Sequence, residues 1–431
     1  MVVNAKAQPA ARTIVQKYGG SSVATPAKLF ACAQRVAAAV TGGSRVVVVV
    51  SAMGDTTDEL LALAQAVGGL DNKREVDQLL ATGEQVSIAL LAMALKTLNI
   101  PAVSLTGRQA GIGTELRHGR ARITDVEAGR LEAELDAGRV PVVAGFQGTA
   151  ATGDTTTLGR GGSDTTAVAL AAAIKARECE IYTDVDGIFT ADPRLVPGAR
   201  LLARISYEEM LEAASQGAQV MHLRSVELGM KAGVPIRVLH AQRAGMQAGV
   251  GGTLICDLAT ANQSMEHRKA VTTVALKTDI GRVSLEDLPS RPGVQSEVFK
   301  RVAQAGISVD DIIQHEVEPI GAGTGGERTC NLVFTVDRGD LPEIGPIVEA
   351  VLGVLGSGRS RVDLGLAKVS AVGAGMQSQP GVASTMFGAL ADAGVTIANI
   401  TTSEIKVSCI VPEADGPRAL RAVHEAFGLG R

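Results

Sequence analysis

The sequence predicts an α/β protein in two parts: a doubly wound, largely parallel sheet sandwiched by helices, then two βαββαβ modules. Three observations carry that reading. Arg45–Val50, RVVVVV, is the continuous apolar run of a parallel strand buried on both faces. Apolar strands and helical stretches alternate from Thr13 to Leu239, and small polar turns follow the strands. Residues 291–312, RPGVQSEVFKRVAQAGISVDDI, align without a gap to residues 379–400, QPGVASTMFGALADAGVTIANI. Each copy contains a helix and a strand and is flanked by further strands and a second helix.

The 431 residues suffice for two or three domains. The expected division is a first domain at 12–244, a glycine-rich linker at 245–269, and modules at 270–364 and 365–431. A formal net charge of −4 leaves no basic footprint for nucleic acid or an anionic membrane. With no Trp, seven Phe and three Tyr, rings for stacking bases are scarce. The five Cys form no CxxC pair and the six His never fall at ligand spacing. That argues against a disulfide framework or a zinc site and suits a reducing cytosol. The first twelve residues lack the apolar core of a signal peptide, and no uninterrupted apolar run approaches membrane-spanning length. The expectation is a cytoplasmic protein with neither a membrane nor a nucleic-acid partner.

Along the chain, residues 13–17 form a short strand ending in Tyr18-Gly19-Gly20-Ser21-Ser22. Lys17 precedes the glycines, so this is not a Walker loop. It reads either as a lysine and backbone amides facing a phosphate or as a Gly-Gly turn beside a surface lysine. Residues 26–40 are an amphipathic helix. The valine strand ends in a second small polar turn at 51–55, and helices follow at 58–67 and 76–98. The last carries Thr82-Gly83-Glu84. Glycine weakens a helix, so Gly83 marks a close approach, and Glu84 reads either as amine-binding or as a solvated side chain.

Residues 145–168, GFQGTAATGDTTTLGRGGSDTTAV, read as a long polar loop between the strand Val140–Ala144 and a helix over 165–176. Loops of this length are functional or disordered. Gly161 and Gly162 let backbone N–H groups approach a ligand, and Ser163 or Asp164 caps the helix. The helix points its positive end forward, and Arg160 offers a fork for carboxylate or phosphate. An anion site and a flexible loop with an ordinary cap fit these residues equally.

Residues 180–182 form a strand running into TDVDGIFTADPR at 183–194, where Asp184 and Asp186 read as ligands for a divalent ion or as turn caps. Helices at 207–216 and 224–232, with His222 between them, and a strand at 235–239 close the first domain. Residues 321–326 spell GxGxxG but lead into a strand, and so fail the context of a dinucleotide fingerprint.

Taken together, KYGGSS at 17–22, SAMGDTTDEL at 51–60, ATGE at 81–84, GFQG at 145–148, TTLGRGGSDTTAVALAAA at 156–173 and YTDVDGIFTADPR at 182–194 resemble the aspartate kinase family. The tandem modules resemble its two ACT domains. The resemblance implies an amino-acid-kinase fold and transfer of phosphate from ATP, with Mg2+, to the side-chain carboxylate of L-aspartate. The product would be 4-phospho-L-aspartate, the entry to lysine, threonine and methionine. No tightly bound cofactor and no metal site of the protein's own are implied. Lys17, Gly19 and Gly20 would steady the transferred phosphoryl group, with Ser51 beside the reacting groups. Glu84 would hold the substrate ammonium. Arg160, with Gly161, Gly162 and Ser163, would hold its α-carboxylate. Asp164 would orient Lys17 or help place the magnesium-bound phosphates. The nucleotide would meet Tyr18, Thr183, Asp184, Phe189, Thr190, Ala191, Asp192, Pro193, Arg194 and Gln219.

Four positions depart from the family's pattern. Gln219 stands for a usual lysine, Phe189 for a common Tyr, Ser290 for an Asp that often binds the effector's amino group, and Thr396 for a common Asn. Effector contacts would come from Ser290, Arg291, Pro292, Gly293, Val294, Gln295, Ser308, Val309, Asp310 and Gln314 in the first module. In the second they would come from Val382, Ala383, Thr396, Ile397, Ser403 and Glu404. A Pro-Gly turn at a helix N-terminus leaves N–H groups free for an amino-acid carboxylate. Lysine or threonine are the implied effectors, and ACT pairing the implied route to a homo-oligomer. An internal start near Met265 would add a small subunit. The competing readings are a kinase of the same fold acting on glutamate, acetylglutamate or a nucleotide, and a non-catalytic amino-acid-binding regulator.

Overall fold

The computed structural model describes residues 13–218, 220–242, 251–261, 269–317 and 328–430. Gln219, Met265 and the run at 321–326 lie outside these residues, as do the expectations attached to them. The chain divides into two compact units. The first holds the residues up to 190 with 200–215 and 219–268; the second holds 269–431 with 191–199 and 216–218.

The first unit runs β1 (Thr13–Tyr18), α1 (Gly20–Val23), α2 (Pro26–Thr41), β2 (Arg45–Val50), α3 (Thr56–Ala66), α4 (Lys73–Thr97), β3 (Ala102–Leu105), β4 (Ile112–Thr114), β5 (Ile123–Val126), α5 (Gly129–Asp136), β6 (Val140–Ala144), β7 (Gln147–Ala150), β8 (Thr155–Thr157), α6 (Gly162–Ala173), β9 (Glu178–Thr183), β10 (Arg204–Ser206), α7 (Tyr207–Ser215), α8 (Leu223–Ala232), β11 (Ile236–His240), β12 (Thr253–Cys256) and α9 (Leu258–Ala261). Eight strands form one sheet in the order β10-β12-β11-β9-β1-β2-β6-β3. Every pairing in it is parallel except β11 with β12. The valine run serves both faces, as its composition requires. Val47 and Val49 pack with α6, while Val46, Val48 and Val50 pack with α2 and α4.

Two expectations need correction here. The polar stretch after β6 is not one long loop: β7 and β8 pair as a hairpin inside a second, four-stranded sheet, β5-β4-β7-β8. Thr114, Thr156 and Thr157 are buried in it, and the Thr114 and Thr156 hydroxyls meet at 2.6 Å. The segment read as a linker also contributes β12, because Thr253, Ile255 and Cys256 are buried against its neighbours. A third point concerns α4, which by length and composition alone is apolar enough to cross a membrane. More than half of that stretch is buried in the fold, and its buried face carries Asp77, Glu84 and Ser87.

The second unit runs β13 (Thr273–Pro289), α10 (Val294–Gln304), β14 (Asp310–Val317), β15 (Thr329–Asp337), α11 (Leu341–Leu355), β16 (Arg359–Val372), α12 (Val382–Asp392), β17 (Asn399–Ser403), β18 (Lys406–Pro412) and α13 (Gly416–Ala426). All six strands form one antiparallel sheet, β14-β15-β13-β16-β18-β17. The two repeats share strands. Residues 273–277 of β13 pair with 368–372 of β16 in the second repeat, while the rest of β13 pairs with β15 and the first half of β16. The strand that opens the first module therefore also completes the second. Two separate cores form, one under α10 and α11 and one under α12 and α13.

Candidate active site

Side chains alternate along a strand, so Lys17 follows Val15 onto the α6 face of the sheet. Its Nζ lies 2.6 Å from Asp164 Oδ1, with only 11% and 15% of the two side chains exposed. Asp164 occupies the first turn of α6, where the helix dipole favours a carboxylate. The expected cap is corrected: neither Ser163 nor Asp164 caps α6. Gly161 does so through a left-handed backbone, φ 71°, without a side-chain hydrogen bond. Asp164 is thereby left for Lys17. A Cβ at Gly161 would also come within 2.3 Å of His222 Cβ. Gly161→Ala is accordingly expected to lower unfolding free energy by roughly 1–3 kcal/mol, measured by denaturant titration.

The three small-residue turns meet. Ser51 N donates to Tyr18 O at 3.1 Å, Gly54 N to Gly20 O at 3.1 Å, and Gly145 N to Val50 O at 3.0 Å. Gly83 supplies the close approach expected of it, since a Cβ there would stand 2.9 Å from Ala52 Cβ. This brings Glu84 against the second turn. Glu84 is 2% exposed; Oε1 accepts from Ala52 N at 3.1 Å, and Oε2 is buried with no partner among the described residues. Burial pushes its carboxyl up to about 7, against a smaller opposing effect of the Ala52 hydrogen bond. A buried carboxylate oxygen without a donor is a ready seat for a cation.

Arg160 stands exposed in the loop between β8 and α6, with no hydrogen bond or ion pair among the described residues. The loop itself is held. Arg224 donates to Leu158 O at 2.6 Å and to Ala121 O at 3.0 Å, and Leu158 N donates to Phe146 O at 2.9 Å. Nothing in the stretch of sequence around Arg224 and His222 points to a loop so distant in the chain.

Of the expected nucleotide contacts, Thr183 and Asp184 follow β9, with Thr183 Oγ1 donating to Asp184 Oδ1 at 3.1 Å. Phe189 bridges to Leu201, and Thr190 is buried, exchanging hydrogen bonds with Arg200. Tyr18 has only its backbone to offer a nucleotide, because its ring is fully buried, stacked on Tyr182 at 4.8 Å and bonded through its hydroxyl to Gln16 Oε1. Its side chain is core. Ala191, Asp192, Pro193 and Arg194 belong to the second unit, where Ala191 packs into the core. Asp192 grips the Arg194 guanidinium at 3.0 and 2.7 Å, which holds its carboxyl below the usual range.

Residues 12–240 match the Amino acid kinase family, and residues 369–427 the ACT domain. An aspartokinase of Geobacillus stearothermophilus is 47% identical over 416 residues, 96% of this chain and 97% of its own. The chain belongs to the aspartokinase family. Aspartokinase 2 of Bacillus subtilis (strain 168) is 46% identical over 418 residues, 97% of this chain and 98% of that one. The solved structure of E. coli aspartokinase III in complex with aspartate and ADP (R-state) is similar at a TM-score of 0.76 and 26% identity, covering 96% of this chain and 99% of that one. Its complex with lysine and aspartate (T-state) gives 0.72 and 26%, covering 97% and 100%. The fold is thus an amino-acid-kinase α/β fold followed by an antiparallel ACT region.

In the first repeat of that aspartokinase ACT region, Gln295 Nε2 donates to Gln314 Oε1 at 2.7 Å, so two expected effector residues meet. Gly293, φ 97°, caps α10 after exposed Arg291 and Pro292, and Val294 turns into the core. Ser290 N donates to Arg328 O at 2.9 Å. Ser308 is exposed and Val309 half-buried, ahead of β14. Asp310 is already engaged, 2.5 Å from the ammonium of fully buried Lys368, which also meets Asp311 at 2.6 Å. In the second repeat a cleft of about 540 Å³ opens at the start of α12, lined by Val382, Ala383, Ser403 and Glu404 with Met376 and Gln377. Thr396 and Ile397 do not line it; they sit in the stretch before β17.

Proposed function

We propose that this chain transfers the γ-phosphoryl group of ATP to the side-chain carboxylate of L-aspartate, and that an amino-acid end product controls it through the ACT region. The observation that carries the reading is the partnerless buried oxygen of Glu84, a seat for an ammonium group in the same unit as the unpaired Arg160. Together they suit the two charges of an amino acid. The relatives support aspartate: one similar structure holds aspartate and ADP, another lysine and aspartate.

The chemistry asks little of a general base, because a carboxylate is already ionised at neutral pH. One carboxylate oxygen bonds to the γ-phosphorus as the bond to the bridging oxygen breaks, and ADP leaves with the electron pair. Negative charge crowds the transferring group, and Lys17 offsets it, with Gly19, Gly20 and the start of α6 as backbone donors. Asp164 holds the Lys17 ammonium in place before substrate arrives. Magnesium would neutralise phosphate charge when bound with the nucleotide. The ion would be carried mainly by the phosphates, with Asp164 or Asp184 as its protein carboxylate.

For regulation we place an effector in the cleft at the start of α12, its carboxylate on helix N–H groups and its ammonium on Glu404, which Gln377 orients at 3.0 Å. Glu404→Gln is expected to raise the lysine or threonine concentration for half-inhibition about tenfold with uninhibited activity unchanged; an unchanged inhibition curve removes Glu404 from the site. A homo-oligomer paired through the ACT region belongs to the same proposal. So does a small subunit from Met265, which a single band on a denaturing gel of the native source would contradict.

An ADP-release assay across acceptors tests the activity itself. Aspartate should support turnover, while glutamate, acetylglutamate and nucleotides should not. ADP release that prefers another acceptor overturns the substrate assignment.

A further inference from the structure

Seven residues before Glu84, two turns back along α4, Asp77 shares its buried face. Its side chain is fully buried and saturated with donors. His118 Nδ1 donates at 2.8 Å, Gly119 N reaches both oxygens at 3.0 and 3.1 Å, and the Thr157 hydroxyl donates to Oδ1. Each donor belongs to a segment that borders the Arg160 loop. Thr157 ends β8 immediately before that loop, and Ala121 N donates to Thr157 O at 2.9 Å. Gly159 lies against Gly119 O, so that a Cβ on Gly159 would stand 3.0 Å from it. Arg224 closes the arrangement by bridging the Leu158 and Ala121 carbonyls.

Two carboxylates on one helix face thus do different work. Glu84 keeps an oxygen without a donor, while Asp77 ties the helix to the strand and loop that carry Arg160. We infer that Asp77 is a positioning residue for substrate: it fixes the separation between the Glu84 seat and the Arg160 fork, which must match the two charges of one amino acid. The inference rests on the roles proposed above for Glu84 and Arg160. Displacement of a binding group by a fraction of an ångström weakens recognition sharply. Removing any one of these partners also leaves a buried donor or acceptor unpaired, which favours rearrangement of the loop.

Steady-state kinetics of the full-length enzyme test this with Asp77→Asn, His118→Gln and Thr157→Val, alongside Glu84→Gln and Arg160→Gln. Asp77→Asn should raise KM for aspartate about tenfold or more, with KM for ATP within about twofold of the parent and kcat less affected. The two milder variants should shift KM for aspartate in the same direction. A purely structural role would lower the melting temperature and the active fraction while leaving KM for aspartate in place. If Asp77→Asn does not fold, the other two decide by the same criterion. Folded variants with unchanged KM for aspartate, beside raised values for Glu84→Gln and Arg160→Gln, overturn the inference alone. Unchanged values in those two controls overturn the underlying reading and this inference with it.

Discussion

Lys17→Met is expected to cut kcat about a thousandfold or more while the protein still folds. Removing a single preorganised donor from a developing oxyanion already costs about 10²–10³ in rate, and Lys17 brings a full charge. The sheet does not depend on the ammonium: Lys17 pairs through its backbone with Val49 and Ile181 in parallel register. The variant does leave Asp164 partly buried without its partner, and breaking a buried pair is destabilising by about 3–5 kcal/mol at most. Lys17→Met combined with Asp164→Asn separates the two effects. The double variant should regain melting temperature lost by the single one and should remain inactive. Recovery of activity along with stability would mean that Lys17 serves the fold and not the phosphoryl group.

Glu84→Gln carries the second large effect, and its sign depends on pH. In the unliganded protein burial raises Glu84 to about 7. Below that pH the carboxyl is protonated and no longer attracts the substrate ammonium. Because kcat/KM reports the free enzyme, it should fall about tenfold per pH unit below about 7, and Glu84→Gln should abolish that limb at a uniformly low value. Stability runs the other way. A carboxyl whose folded pKa is raised takes up protons on folding between its unfolded value and about 7, so its burial penalty is present above about 7 and is relieved as pH falls toward 4.5. At pH 8 the unliganded Glu84→Gln protein should therefore be the more stable one, by an amount on the order of 1–3 kcal/mol. A pH profile of kcat/KM with no acid limb near 7 would remove the charge of Glu84 from substrate binding.

The parts legible in the sequence share a physical cause. The valine strand, the glycine turns after β1 and β2, and the Gly83–Glu84 approach each follow from local composition and the alternation of strand and helix. The parts that were not legible depend on pairing over distance. β7 and β8 are built of Gly, Gln and Thr with a single Ala, so no apolar run announces them until β4 and β5 lie alongside. β12 is four residues inside a glycine-rich stretch and becomes a strand only between β10 and β11. Gly161, and not Ser163 or Asp164, holds the cap position, and His222, sixty-one residues on in the chain, fills the space a side chain at Gly161 would need. The role of Asp77 is hidden in the sequence for the same reason, since its donors at 118, 119 and 157 meet it only in the folded state.

Trapping the product with hydroxylamine tests the central claim most directly. With ATP, Mg2+ and L-aspartate the protein should form aspartate hydroxamate in step with ADP, and Lys17→Met should form it only at background rate. ADP released without hydroxamate, or hydroxamate formed by Lys17→Met at the parent rate, would contradict the account.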